Sequence, residues 1–110
     1  MNKGIDHAKG QYLYFLNSGD CLSQDILAKI PFDGTEYLYG DTILFYKRKT
    51  KKRVYPDTLD LIYLSDNSLH HQSCFIHHTL FKDKRYDINY KIISDWAHCF
   101  QCLIIENRTY

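Results

Sequence analysis

Gln11-Tyr12-Leu13-Tyr14-Phe15-Leu16-Asn17-Ser18-Gly19-Asp20 passes from an apolar and aromatic half into a polar one. The first half is too short for a helix, and its unbroken apolarity is that of a strand covered on both faces, as in α/β sheets. The second half is a run of turn formers. Ligands of open α/β sheets bind just beyond the carboxyl ends of strands, so this turn falls where a substrate site is expected. A carboxylate next to a glycine that lets backbone approach a ligand suits a divalent cation on a diphosphate, because hard cations take oxygen ligands. Taken alone, the same four residues read first as an ordinary turn ahead of a capped helix.

Working outward, residues 2 to 9 read as a short helix closed by Gly10 as a left-handed C-cap. Ser23 is placed to cap a helix over roughly 24 to 30, which Pro31 ends. A strand is expected from Tyr37 to Tyr46, interrupted at Gly40-Asp41, with Val54-Tyr55 returning beside it after the basic stretch Lys47 to Arg53. A short helix over Leu59 to Leu64 and a strand over Ser73 to Ile76 follow. Ser94 would cap a last helix whose apolar stripe is Ile92, Trp96, Cys99, Phe100 and Leu103. The chain shows no repeat, linker or low-complexity segment.

The composition belongs to an ordered domain: 45% of the 110 residues are hydrophobic, with 10 Tyr and 6 Phe. A chain of this size fits one domain and buries somewhat under about 70% of its unfolded surface. The net charge of +1 argues against a general nucleic-acid binder, which needs a broad excess of Lys and Arg. Cys21, Cys74, Cys99 and Cys102 are too sparse for a disulfide scaffold, so reduced thiols and a cytoplasmic setting are expected. No apolar run approaches the roughly 18 residues that cross a bilayer.

Three further groups carry competing readings. Asp95 either complements the dipole of its helix beside Ser94 or serves as a general base. His70, His71, His77, His78 and His98, with Cys99 and Cys102 at Cys-x-x-Cys spacing, raise a metal-binding module. Against it, both cysteines fall in an apolar helix with no second Cys pair, so buried core thiols are the preferred reading. Six of the seven residues from Lys47 to Arg53 are basic. They could hold the protein near anionic headgroups, but a solvated hairpin tip is preferred, since the rest of the chain balances their charge.

Taken in order, Asn2-Lys3-Gly4-Ile5, Gly10-Gln11-Tyr12, Phe15-Leu16-Asn17-Ser18-Gly19-Asp20, Tyr39-Gly40-Asp41, His71-Gln72-Ser73-Cys74-Phe75-Ile76 and Ser94-Asp95-Trp96 form a series. The series resembles the family 2 glycosyltransferases of bacterial surface-polysaccharide synthesis, of the colanic-acid type. The resemblance implies an α/β, partial GT-A domain over residues 1 to 110 with a mixed sheet and flanking helices. It implies transfer, with inversion, of a sugar from a nucleotide-diphosphate sugar to a hydroxyl of a glycan or lipid-linked acceptor, in the cytoplasm or at the inner face of the membrane.

By the same resemblance, Asp20 is the metal-side carboxylate for a Mn or Mg ion, and Asn17, Ser18, Gly19 and Asp41 lie on the donor side. His71 and Gln72 face the acceptor, and Asp95 is the base. Asn17 and Gly19 stand where the commoner pattern has acidic residues, so the cation would have fewer anionic ligands. Met1 matches an internal methionine of the family, whose opening strand-helix-strand units would precede it, and the chain alone is then expected to bind nucleotide weakly or not at all. The alternative is a non-catalytic remnant that forms homo-oligomers through exposed sheet edges.

Overall fold

The computed structural model describes residues 2–23, 25–82, 85–87, 89 and 94–110. Met1, Gln24 and Ile92, each named in an expectation above, lie outside the described residues. The elements are α1 (Asn2–His7), β1 (Tyr12–Leu13), α2 (Ile26–Lys29), β2 (Tyr37–Tyr39), β3 (Thr42–Tyr46), β4 (Lys49–Arg53), α3 (Leu61–Asp66), β5 (Cys74–His77) and α4 (Ser94–Phe100). Short 3-10 turns flank β5 at His71–Ser73 and His78–Phe81, and α4 continues into a π-helical turn at Gln101–Ile105. The domain is therefore α/β in content, with two small sheets.

β5 organises the larger sheet. Cys74, Phe75 and Ile76 are all buried, so this strand is the one covered on both faces. β1 and β2 flank it in the order β1-β5-β2, both antiparallel, with Leu13 and Tyr37 each opposite Ile76. This corrects the first expectation. The Gln11 to Leu16 run contributes only the two-residue edge strand β1; Leu13 is buried, while Leu16 is 50% exposed. Its aromatic rings pack instead: Phe15 meets Phe81 and Tyr86 edge-on, and Tyr14 stacks on Phe75 at 4.6 Å and 14°.

The same core takes in Tyr55, Leu59, Leu64, Leu69, Leu80, Phe81, Tyr86, Cys99, Cys102 and Leu103, with Ile5 of α1. α1 ends at His7, and the left-handed glycines are Gly19 and Gly34, so Gly10 is not the expected left-handed cap. α2 is not capped by Ser23. Its N-cap is Asp25 in the left-handed region with no side-chain cap bond, while Ile30 before Pro31 is extended as expected. α3 starts two residues later than expected, because the Asp60 carboxylate accepts from the Tyr63 N–H at 2.7 Å and sets the first turn. Ser94 is the first helical residue of α4.

The smaller sheet differs most from expectation. The basic stretch is the return strand itself: β4 pairs with β3, Thr42 opposite Arg53 and Tyr46 opposite Lys49. Only Lys47 and Arg48 form the tip, both at positive φ (44° and 65°), as a two-residue hairpin turn of the primed kind requires. Val54 and Tyr55 follow the hairpin rather than closing it.

Candidate functional site

The polar turn after β1 is a four-residue turn in which the Asp20 N–H donates to the Asn17 carbonyl at 3.1 Å. Gly19 adopts φ +87°, as the third residue of a type II turn must, and a Cβ there would meet nothing within 4 Å. Glycine is therefore needed for its dihedral rather than for space. Tyr14 anchors the turn: its hydroxyl donates to the Gln72 carbonyl at 2.7 Å, tying the chain before Asn17 to the 3-10 turn that opens β5. Burial first, then the nearby Asp20 carboxylate, raise the Tyr14 phenol above its ordinary value, so it stays a donor.

Side chains from three segments meet across this junction. His71 Nδ1 lies 3.2 Å from Asp95 Oδ2, and His71 Nε2 lies 3.2 Å from Asn17 Oδ1. The Gln72 amide donates to Asp20 Oδ2 at 3.3 Å. Thus Asn17, Asp20, His71, Gln72 and Asp95 form one connected cluster. A carboxylate only accepts, so the His71 Nδ1 proton points at Asp95 and fixes the imidazole's orientation. With Nδ1 donating, Nε2 accepts, so the bond to Asn17 is made by the Asn17 amide N–H, with the amide turned to present it and its oxygen left free. Asp95 sits in the first turn of α4 and accepts from the Trp96 N–H through Oδ1, leaving Oδ2 to His71.

Ser18 and Gly19 are exposed at the tip of the turn. Asp41 has other partners: it accepts from the Tyr55 N–H at 3.1 Å and pairs with Lys52 at 3.3 Å, at the base of the β3–β4 hairpin. Its neighbour Gly40 is nearer, donating to the Ser73 carbonyl beside Gln72.

An open pocket of about 450 Å³ adjoins the cluster, lined by residues 65–72 with Asp95 and Trp96. Trp96 is held in its wall by indole N–H bonds to the carbonyls of Leu64 (2.8 Å) and Asn67 (3.2 Å). The segment Ser65 to Leu69 and Trp96 as a pocket wall were not singled out from sequence. The signal for the segment was Ser65-Asp66-Asn67-Ser68, a polar run separated from His70-His71 by Leu69 alone. His70 lines the pocket too. Burial first, then the Arg53 guanidinium and His71, hold its imidazole below its ordinary value. Arg53 Nη1 lies 3.5 Å from His70 Nε2, so that nitrogen accepts.

Among the described residues, no three His, Cys, Asp or Glu side chains are grouped to hold a metal ion. His98 is buried, donates from Nε2 to the Leu80 carbonyl at 3.0 Å and stacks on Phe81 at 4.5 Å. Cys99 and Cys102 are buried beside it. Burial pushes the Cys74 and Cys99 thiols up to about 12. These groups are core, as the preferred reading of the Cys-x-x-Cys spacing has it.

The cluster joins a turn that bears side-chain oxygens to a carboxylate that lines an open pocket, so a proton acceptor stands at the wall of a cavity. No family model matches the chain, and no solved structure matches it. Curated relatives do match. A "PGL/p-HBAD biosynthesis glycosyltransferase" of Mycobacterium bovis is 31% identical over 110 residues, covering 93% of this chain and 41% of the relative. A protein of the same description from Mycobacterium tuberculosis matches to the same extent. Over nearly its whole length, then, the chain is similar to part of a mycobacterial glycosyltransferase, and it spans 41% of the length of the curated relatives it matches.

Proposed function

We propose that this chain carries the metal-diphosphate turn and the acceptor side of an inverting, nucleotide-sugar-dependent glycosyltransferase, as a partial GT-A domain. The observation that carries the reading is the hydrogen-bonded path from Asn17 through His71 to Asp95, alongside Gln72 and Asp20. It unites residues that the family pattern assigns to donor, acceptor and base, and the similarity to curated glycosyltransferases supports it independently.

On this reading Asp95 Oδ2 takes the proton of the acceptor hydroxyl as the oxygen attacks the anomeric carbon and the nucleoside diphosphate departs. His71 orients that carboxylate through its Nδ1–H. Gln72 holds Asp20. The Asp20 and Asn17 side-chain oxygens suit a hard divalent cation, which when bound would neutralise the leaving diphosphate. The acceptor is a sugar or lipid-linked hydroxyl received in the pocket beside Trp96.

The test is transfer by the intact protein from a panel of UDP-, GDP- and dTDP-sugars to glycan and lipid-linked acceptors, with and without Mn²⁺, and with the product's anomeric configuration read by NMR. Transfer with inversion that Asp95→Asn removes is the expected result. Undiminished transfer by Asp95→Asn, or transfer with retention of configuration, overturns it.

A further inference from the structure

The β3–β4 hairpin presents apolar side chains to solvent. Phe45 is 77% exposed, Tyr46 70%, Ile43 49% and Leu44 40%. A two-stranded ribbon with both faces in water is marginal by itself, and an apolar row on it remains hydrated until something covers it. The pairing register says what that something must be. Tyr46 lies opposite Lys49, Leu44 opposite Lys51 and Ile43 opposite Lys52, so each apolar side chain has a cation or Thr50 across from it. At the tip, Lys47 and Arg48 stand between Tyr46 and Lys49, with Lys47 Nζ 5.3 Å from the Tyr46 ring centroid.

Of the six basic residues, Lys52 is paired with Asp41, whereas among the described residues Lys47, Arg48, Lys49 and Lys51 have no acidic partner within 4 Å. On a chain of net charge +1 this concentrates the positive potential on one projection. A second copy is a poor occupant, because edge pairing through β4 would bring its own lysines together.

We propose that the hairpin tip docks on an anionic lipid bilayer. Phe45 and Tyr46 enter the headgroup layer, while Lys47, Arg48, Lys49 and Lys51 pair with lipid phosphates. Aromatic rings favour that depth, and lysine stems extend along apolar surface with the ammonium in the polar layer. Each basic residue at such a surface adds about fivefold in affinity. No membrane-crossing helix is needed for this contact, and none is present among the described residues. The proposal stands on the hairpin and holds whether or not the His71 cluster transfers a sugar.

Co-sedimentation of the protein with phosphatidylcholine vesicles, and with vesicles that also contain phosphatidylglycerol, tests it. Binding is expected to the anionic vesicles alone. It should weaken on the order of 100-fold in a Lys47→Gln, Lys49→Gln, Lys51→Gln variant. Phe45→Ser with Tyr46→Ser should weaken it about tenfold, with the thermal midpoint showing that the variant is folded. In a Phe45→Trp variant, fluorescence beyond that of Trp96 should be quenched by brominated lipid. Equal binding to both vesicles, no binding, full binding without the two aromatics, or self-association that those aromatics mediate would each overturn the proposal.

Discussion

His71 and Asp95 lie 24 positions apart in sequence and meet at 3.2 Å, one in the 3-10 turn ahead of the central strand, the other in the first turn of α4. If Asp95 is the base, Asp95→Asn keeps the shape and removes the proton acceptor. kcat should then fall by about 10² to 10⁴, with little change in KM for the acceptor. His71→Ala leaves Asp95 charged but unoriented, so its loss should be smaller, about tenfold to a hundredfold. The double variant should be no worse than Asp95→Asn. Strictly additive losses in steady-state kinetics would show that the two act separately.

Gly19 is held at φ +87° with open space around its Cα. Gly19→Ala should therefore cost about 1 kcal/mol through the left-handed dihedral alone, lowering Tm by about 4 °C. A larger loss of activity than of stability would place Asp20, one residue on, in the reaction. Differential scanning fluorimetry alongside turnover separates the two.

His70 sets a direction for the pH dependence of stability. Its folded-state pKa lies below the ordinary 6.5, so the unfolded chain takes up a proton more readily. The stability from the neutral imidazole is thus fully present above pH 6.5 and is lost as pH falls below it. Urea midpoints at pH 7.5 and 5.5 should drop more for the wild type than for His70→Asn. Parallel drops would show that other groups carry the effect.

Cys21 is exposed, whereas Cys74, Cys99 and Cys102 are buried, and the first two of these have thiols raised to about 12. Iodoacetamide on the native protein should label Cys21 alone within minutes, and all four after denaturation. Mass spectrometry of the peptides reads this directly. Rapid native labelling of Cys74 would mean that β5 opens on that timescale.

What could be read from sequence was local. Asn17 to Asp20 announce a turn by their own conformational preferences, and Pro31 marks a helix end in the same way. Pairing was not legible, because it is set across distance. Nothing in Tyr12-Leu13 specifies that it lies antiparallel to Ile76 and His77. The lysines of β4 are poor strand formers, and only the left-handed pair Lys47-Arg48 and the apolar partner strand make them one. The core partner of His98 was not legible either, because its stacking on Phe81 depends on a helix and a turn that meet only in the fold. The candidate site divided the same way. Each residue of the cluster could be named singly, while the path through His71 appears only when the three segments pack.

The two links of that path span 54 and 24 residues, and the Gln72–Asp20 bond beside it spans 52. The cluster is consequently a late product of folding, since every contact in it waits on closing a long loop. No single proteolytic piece that separates Asp20 from His71 retains it. Recovery of the cluster's chemistry after refolding therefore times the arrival of the finished tertiary structure, whereas recovery of helical signal reports only its earlier, local parts.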